Sequence, residues 1–440
     1  MLKILILERF LITKAAPLSW KALWLRVLRE ASMPFFRFVV ENFRWLAAGL
    51  LLTFFSSFGQ TFFISLFAGE IRAEFSLSHG DFGGIYMAAT LFSAGTLTVI
   101  GKVVDDHTIA AVAVGVILGL TAFCIAMANV ANVWMLFAVI YGLRLFGQGM
   151  MTHTAFTAMG RWYSAQRGRA VSVATLGHQV GEALLPILFV ALIGLVGWRA
   201  GWWIAASALF LGALPAILWL LQVERTPRAR KVTGAPETGR QWTRGEVLRD
   251  PAFWIISCGT LAPPFIGTTI FFHQVYLVEL RGWTRELFAA AFIAMSSMTV
   301  VFALATGLAI DRYSALKMLP FFLLPLSLAC LVLAGVTHPA AAFIFMMLLG
   351  ASYGISSTLF GALWPEVYGT RHLGAIRSVV VALMVLSSAL GPGVTGWLID
   401  LGVAYEYQMV AMAGYCMVMI ALMTVVSGSV SRRLAGAAGF

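Results

Sequence analysis

Two charged residues within apolar stretches are the first candidates for chemistry in this chain. Arg144 lies in the run 136–149, and Glu182 lies in the run 175–186. A charge at the centre of a membrane helix costs about 2.5–3.5 kcal/mol, so it is usually retained with a partner or beside a water-filled cavity. We therefore expect these side chains to pair with each other or to line a path for a polar molecule.

Further polar residues recur at helical spacing around these charges. Residues three, four or seven positions apart share one face of a helix. Five such faces are present: Thr53, Ser56 and Gln60; Arg144, Gln148 and Thr152; Thr175, His178 and Glu182, with Gln179 adjacent; Thr269, His273 and Tyr276, with Gln274 adjacent; and Ser352 with Ser356. A polar face turned towards lipid would leave donors unsatisfied, so these faces are expected to point into the protein.

Side-chain chemistry suggests roles for three of these residues. Arg144 is a candidate fixed positive charge, because a guanidinium donates two parallel hydrogen bonds to a carboxylate or phosphate. It would pair with Glu182 or with an anionic group of a solute. Glu182 is a candidate proton carrier, and His178 could share the proton because imidazole titrates near neutrality. The alternative is a structural Arg144–Glu182 pair beside a neutral, hydrogen-bonded His178.

The remaining polar residues of these faces are candidate contacts with a solute. They are Gln60, Gln148, Gln179, His273, Gln274 and Tyr276. The alternative for each is an ordinary hydrogen bond between helices.

The composition requires a membrane environment for these faces. The chain is 60% hydrophobic and 11% charged, with a mean hydropathy of +0.89, whereas a soluble domain is about 25% charged. About twenty apolar residues cross a bilayer. Twelve spans are predicted: 46–69, 81–104, 109–128, 132–158, 169–194, 200–221, 252–278, 287–309, 316–336, 339–362, 374–398 and 407–430.

The positions of the basic residues argue against nucleic acid as a partner, despite the net charge of +11. If both termini are cytoplasmic, 25 of the 30 Lys and Arg residues lie on the cytoplasmic side, four lie opposite, and Arg144 lies within the membrane. This is the positive-inside bias that sets orientation. We therefore expect a multi-pass protein of a bacterial inner membrane with both termini in the cytoplasm.

The sequence contains no persuasive enzyme or metal motif. The four cysteines lie in apolar spans without CxxC spacing, which favours packing over disulfides or metal binding. HExxH and Walker patterns are absent. We therefore expect no enzyme activity, no cofactor and no metal, and a process that is passive or driven by gradients.

Five segments are predicted along the chain. They are an N-terminal cytoplasmic or interfacial extension (1–44), a six-helix bundle (45–221), a basic cytoplasmic linker (222–250), a second six-helix bundle (251–430) and a cytoplasmic tail (431–440). The extension resembles an interfacial amphipathic helix from Trp20 to Phe43. Equally, Met33 could be the true start, which would make the residues before it an artefact.

The two predicted bundles share a sequence plan at an offset of 206 residues. Four matches carry it: Gly101-x-x-x-Asp105 with Gly307-x-x-x-Asp311, Leu77-Ser78 with Trp283-Thr284, Gly168 to Ser172 with Gly374 to Ser378, and Pro186 with Pro392. Parallel repeats with a binding site at mid-membrane between them are a recurring transporter plan.

The same landmarks resemble the major facilitator superfamily over roughly residues 45–430. Residues 101–106 resemble its loop between helices 2 and 3, and residues 307–312 resemble the copy between helices 8 and 9. Residues 144–149 resemble its helix-4 arginine-glycine motif, and 364–374 resemble its segment between helices 10 and 11. Asp106 stands where the family commonly has a basic residue.

The resemblance implies the fold class and the places of the polar faces. It implies an all-α membrane protein with twelve transmembrane helices in two pseudo-symmetric six-helix bundles. Spans 1, 4, 7 and 10 would line the central cavity. A second group of residues would gate it at the cytoplasmic ends, with static salt bridges as the alternative: Gly101, Asp105, Arg161, Gly307, Asp311, Arg312 and Glu366.

The leading hypothesis is a monomeric secondary transporter that works by alternating access. Its solute would be small and polar, with an organic anion favoured by Arg144, and protons could be coupled by symport. One alternative is an exporter of cationic or amphipathic compounds, favoured by Glu182 and the 13% aromatic content. The others are a membrane sensor of the same fold and, less favoured, a membrane-embedded enzyme.

Overall fold

The computed structural model of this chain describes residues 37–163, 166–223, 225, 241–369 and 371–438. Within them, eleven helices are long and apolar enough to cross a membrane, and a bent helix pair makes the twelfth span. The spans are α1 (Phe43–Gly59 with Thr61–Phe75), α2 (His79–Asp106), α3 (Ile109–Ala128), α4 (Val133–Trp162), α5 (Gly168–Val196), α6 (Trp198–Leu220), α7 (Pro251–Phe272), α8 (Arg285–Ile310), α9 (Ala315–Gly335), α10 (Ala340–Tyr368), α11 (Leu373–Asp400) and α12 (Tyr405–Leu434).

Local sequence explains where several of these helices begin. Ser78 accepts a hydrogen bond from the backbone N–H of Asp81 at the start of α2, and Thr284 accepts one from Leu287 at the start of α8. Such side chains satisfy N–H groups that have no partner within a helix. Ser78 and Thr284 are one of the pairs matched at the 206-residue offset, so the duplicated plan extends to the helix caps.

The twelve spans form two six-helix halves, α1–α6 and α7–α12. Between the halves, α2 packs against α11, α5 packs against α8, and α1 packs against α7. Because the spans alternate in direction, loops 76–78 and 401–404 lie at one end of the molecule. We call this the joined end, and the opposite end, which contains residues 241–250, the linker end.

A carboxylate of one half caps a helix of the other at the joined end. Asp400, the last residue of α11, accepts hydrogen bonds from the backbone N–H groups of His79 (3.1 Å) and Gly80 (2.7 Å) at the start of α2. The partial positive charge of a helix N-terminus favours a carboxylate there. The backbones lie so close that a Cβ atom on Gly396 would fall 3.1 Å from the Cα atom of Gly80 and clash with the carbonyl of His79.

Side-chain contacts reinforce this junction. Arg285 of α8 forms an ion pair with Glu70 of α1 at 2.5 Å. Ser65 of α1 donates to the carbonyl of Phe271 at 2.6 Å, and Gln274 donates to the hydroxyl of Ser65 at 2.8 Å. The described hydrogen bonds between the halves therefore lie at the joined end and in the adjoining part of the membrane region.

The predicted spans are confirmed in number and order, with corrections at their edges. Span 1 was predicted over 46–69, whereas α1 extends from Phe43 to Phe75 and bends by 44° between Gly59 and Thr61. The last helix continues to Ala438, past residue 431, where the tail was predicted to begin. The choice between Met1 and Met33 lies outside the described residues, as does most of the predicted linker.

The glycine contact at the joined end generates a prediction. We expect Gly396→Ala to separate the halves there, because its Cβ atom would meet backbone atoms of α2 rather than a movable side chain. The reporter is Ser65→Cys, at a buried site of the junction, in a chain whose four native cysteines are replaced by alanine. Labelling by a membrane-impermeant maleimide added at the joined end should increase severalfold.

Gly414→Ala in α12 is the matched control, because nothing lies within 4 Å of the added Cβ atom. If Gly396→Ala leaves the labelling rate of Ser65→Cys at the control value, the close contact does not hold the joined end shut.

Candidate functional site

The bend in α1 lies beside an unusual segment of α4. Residues Ser56–Gly59 form one 3-10 turn, and Gln60 is extended, with φ −86° and ψ 156°. Opposite this bend, α4 is wound as a π-helix over Arg144–Met151. Departures of this kind from α-helical bonding occur often at functional sites. Two irregular helical segments thus meet within the membrane region.

Two glycines allow this meeting. A Cβ atom on Gly147 would lie 2.6 Å from the Cα atom of Gly59, and one on Gly59 would lie 2.7 Å from the Cα atom of Gly147. Real Cβ atoms do not approach other atoms so closely, so both positions require glycine. Small residues at such crossings let membrane helices pack backbone against backbone.

Arg144 compensates for the bend in α1. Phe63, which in a regular helix would donate to the carbonyl of Gly59, donates instead to that of Gln60. The freed carbonyl of Gly59 accepts a hydrogen bond from Nη1 of Arg144 at 3.2 Å. An unsatisfied backbone carbonyl costs several kcal/mol in hydrocarbon. The arginine therefore satisfies a backbone group that the bend exposes.

Neutral groups complete the surroundings of the guanidinium. Nη1 of Arg144 lies 3.3 Å from Oγ1 of Thr61, and the guanidinium carbon lies 5.3 Å from the ring centre of Tyr86. The hydroxyls of Thr61 and Tyr86 are 2.7 Å apart. Arg144 is 2% exposed, and its Nε has no hydrogen-bond partner among the described residues. The site therefore contains a buried positive charge that has an unused hydrogen-bond donor, the Nε–H group.

The Arg144–Glu182 pair, one of the two alternatives for these residues, is not formed in this structure. Within the described part of the chain, the ion pairs do not include Arg144. The physical reason is the position of α1, which packs against both helices. Gly147 of α4 faces Gly59, whereas Gly181 of α5 faces the hydroxyl of Ser57.

The polar residues of α5 also keep hydrogen-bonding capacity. Nδ1 of His178 and Oε1 of Gln179 are buried and have no partner among the residues described here. The His178 ring lies 6.2 Å from that of Phe62, which in turn lies 6.1 Å from Phe292 of the other half. Together with the buried Glu182, these groups lie where α5 approaches the opposite half.

The candidates around α7 have protein partners. His273 shares a hydrogen bond between Nε2 and the carbonyl of Pro392 at 3.1 Å, and Gln274 bonds to Ser65 and to the carbonyl of Phe62. Tyr276 packs its ring 4.6 Å from that of His79. The contacts of His273 and Gln274 are the interhelical hydrogen bonds considered as the alternative, whereas Tyr276 makes a ring contact. A solute role for these three residues remains a prediction.

The glutamines of α1 and α4 are differently placed. Gln60 is buried at the bend itself, and Gln148 is half-buried within the π-helical segment. Their solute role also remains a prediction.

The predicted gating residues of the first half form a network at the linker end. Nη2 of Arg161 pairs with Oδ1 of Asp105 at 3.0 Å, and Nη1 donates to the carbonyl of Val104 at 2.9 Å. The carbonyl of Gly101 shares a hydrogen bond with Nε2 of His153 at 3.1 Å. These contacts join α2 to α4 within one half.

The second half makes its own version of this network. Glu366 near the end of α10 accepts a hydrogen bond from the backbone N–H of Ala315, where α9 begins, at 2.9 Å. The Arg312 guanidinium lies 5.2 Å from the ring of Tyr313, and Gly307 faces Thr358. The side chain of Asp311 lies outside the description. These contacts also stay within one half, so the gating role remains a prediction.

Sequence reasoning missed several residues of the site and the junction. Thr61 and Tyr86 contact Arg144, while Ser65, Glu70 and Asp400 join the halves. Tyr86 could have been singled out from the sequence, since it is the only tyrosine in span 2. The others resemble ordinary helix-end or helix-face residues, because their partners belong to distant parts of the chain.

The glycine crossing provides a stability test. Gly147→Ala should overpack the contact with the backbone of Gly59 and lower the unfolding free energy by about 1–3 kcal/mol. Thermal unfolding of the purified protein in one detergent would measure this loss. Gly149→Ala on the same helix is the control, because its Cβ atom would make only ordinary contacts at 3.4 Å or more. Equal melting temperatures for the two variants would contradict a tight α1–α4 crossing.

Comparisons with known proteins agree with this architecture. A family profile described as the Major Facilitator Superfamily matches residues 49–392. An uncharacterized protein of Mycobacterium tuberculosis is 29% identical over 250 residues, which is 54% of this chain and 58% of that protein. The membrane sensor protein UhpC of Escherichia coli is 28% identical over 231 residues, or 48% of this chain and 52% of that protein. The chain thus spans a little more than half the length of these curated relatives.

Solved structures match over most of the chain. A bacterial homolog of the human lysosomal transporter Spinster, in an inward-facing and unoccupied conformation, has a TM-score of 0.70 at 16% identity. The match covers 89% of this chain and 98% of that one. The nucleoside transporter NupG has a TM-score of 0.64 at 14% identity and covers 87% and 99%. With twelve membrane-length helices in two halves and a profile match over most of its length, this chain belongs to the major facilitator superfamily.

Proposed function

We propose that this protein is a secondary transporter that moves a small organic anion across the membrane by alternating access. The proposal rests on one observation, the environment of the Arg144 side chain. Its charge is buried within the membrane-spanning helix α4 between neutral groups, and its Nε has no partner among the described atoms. Retaining a charge at that depth is costly, and intramembrane charges commonly mark solute or ion pathways. A planar guanidinium suits a carboxylate or phosphate.

Alternating access requires two ends that open in turn. The described contacts between the halves lie at and near the joined end, whereas those of Arg161 and Glu366 stay within one half at the linker end. This arrangement supports a conformation closed at the joined end and open towards the linker end. With the positive-inside bias, the linker end would face the cytoplasm of a bacterial inner membrane, together with both termini.

A proton gradient would drive the transport. Glu182 is 5% exposed and has no ion-pair partner in the described part of the chain, so it suits a group that gains and loses a proton. His178 lies one helical turn away on the same face and has an unpartnered Nδ1. We assign these residues to coupling, Arg144 to the solute, and the working unit to a monomer without a cofactor.

The anion assignment predicts a defect in Arg144→Lys. Lysine keeps the charge but lacks the planar fork, so binding of a carboxylate solute should weaken about tenfold. Binding would be measured by calorimetry with whichever of a panel of mono- and dicarboxylates and sugar phosphates raises the melting temperature. Arg199→Lys is the control, because Arg199 pairs with Glu74 at the joined end and does not contact Arg144. Unchanged affinity in Arg144→Lys would remove Arg144 from the solute site.

The coupling assignment predicts a different phenotype for Glu182→Gln. This neutral variant should lose solute-evoked proton movement in proteoliposomes while it retains exchange of labelled solute across the membrane. The separation is expected because exchange needs the solute site but no net proton transfer. Glu286→Gln, in the first turn of α8, is the control. Proton movement at the wild-type rate in Glu182→Gln would exclude this residue as the carrier.

A membrane sensor is the second candidate, because a relative of this chain, UhpC, is named as one. A sensor would bind a solute without moving it. Labelled-solute flux into proteoliposomes separates the two functions: binding with flux supports the transporter, whereas binding without flux supports the sensor. Flux of cationic amphipathic compounds instead of anions would support the exporter.

A further inference from the structure

A membrane-facing groove in the second half is not explained by a central transport path. It has a volume of about 480 Å³ and runs between α11 and α12, with α7 as its floor. Its lining is mostly apolar and includes Phe265, Leu383, Leu390, Leu398 and Met412. Leu386 and Tyr415 at its edges are each 42% exposed, so the groove opens sideways to the lipid.

The first half is filled at the equivalent place. At the 206-residue offset that pairs Pro186 with Pro392, Thr395 corresponds to Phe189 and Gln408 corresponds to Trp202. Phe189 and Trp202 are buried. Their rings lie 4.7 and 5.3 Å from that of Phe63 on α1. Two aromatic side chains thus close in one half the space that a threonine and a glutamine leave open in the other.

These two polar residues have unused hydrogen-bonding capacity at the groove. Thr395 is 0% exposed, and its hydroxyl has no partner in the part of the chain that is described. Gln408 is 5% exposed; its Nε2 donates to the carbonyl of Val403 at 3.1 Å, but its Oε1 has no described partner. A buried polar atom without a partner costs about 1–3 kcal/mol. The wall of the groove therefore contains a donor and an acceptor that no described residue uses.

The groove is longer than the hydrocarbon region of one bilayer leaflet. Leu383 and Leu398, at its two ends on α11, are separated by about 22 Å at the helical rise of 1.5 Å per residue. Half of a hydrocarbon core is about 15 Å thick. The end near Leu398 lies close to Asp400 and the joined end, and both Thr395 and Gln408 belong to that end. The groove is therefore long enough to hold an acyl chain through one leaflet, with its polar atoms at the surface side.

We propose that this groove binds one acyl chain of a phospholipid from the leaflet at the joined end. The chain would lie between α11 and α12, and the Thr395 hydroxyl would donate to an ester carbonyl. Oε1 of Gln408 would accept a hydrogen bond from the headgroup, which requires an ammonium N–H or a hydroxyl. The site should therefore prefer ethanolamine or glycerol heads to choline, which has no donor.

A variant that copies the first half tests the proposal. Thr395→Phe with Gln408→Trp should fill the groove with the side chains that fill its counterpart. A phosphatidylethanolamine with a photoreactive group on its acyl chain should label wild-type peptides within 383–415, and this labelling should disappear in the double variant. Val425→Trp, at an exposed position of α12, is the control and should keep the label.

A second variant tests the headgroup preference without filling the groove. Gln408→Met removes the acceptor and keeps an unbranched side chain. Native mass spectrometry should show its preference for phosphatidylethanolamine over phosphatidylcholine with the same chains falling about fivefold, the factor expected for one hydrogen bond. Even labelling of the whole lipid-facing surface, or wild-type labelling and preference in both variants, would overturn the proposal and leave only non-specific boundary lipid.

Discussion

The structure depends on satisfying one backbone carbonyl within the membrane. When α1 bends at Gln60, the carbonyl of Gly59 loses its donor within the helix, and hydrocarbon supplies none. Arg144 provides the donor at 3.2 Å, and it can do so because Gly59 and Gly147 bring the two backbones together. The bend, the glycine crossing and the buried charge are thus parts of one arrangement, and each would be unfavourable without the others.

Arg144 has two roles in this arrangement, one structural and one proposed for the solute. One Nη atom supports α1, while Nε remains unused among the described contacts. A solute anion bound there would therefore interact with a charge that is already positioned by the fold. Positioning in advance lowers the ordering cost of binding. The same geometry would couple such a solute to the bend of α1, which continues towards Ser65 and the junction between the halves.

The duplicated plan is followed unevenly by the two halves. Ser78 and Thr284 each cap the N-terminus of the second helix of their half. The two buried charged residues do not repeat in the second half. At the 206-residue offset, Gly350 stands in place of Arg144 and Ser388 in place of Glu182. Nor do the aromatic residues Phe189 and Trp202, whose counterparts leave a groove. The first half thus carries the charged groups of the proposed pathway, whereas the second carries the opening to lipid.

The sequence by itself determined the number and order of the spans, the duplication, and the family, because hydropathy, caps and short motifs are local properties of the chain. It also singled out Arg144 and Glu182 as unusual. Only the tertiary structure decided that they do not pair, that α1 bends at Gln60, and that His273 and Gln274 bond to neighbouring helices. Their partners lie on other helices, and which helices come close depends on glycine contacts such as Gly59–Gly147 and Gly181–Ser57. No local pattern specifies those contacts, so the partner of each polar group is set by packing.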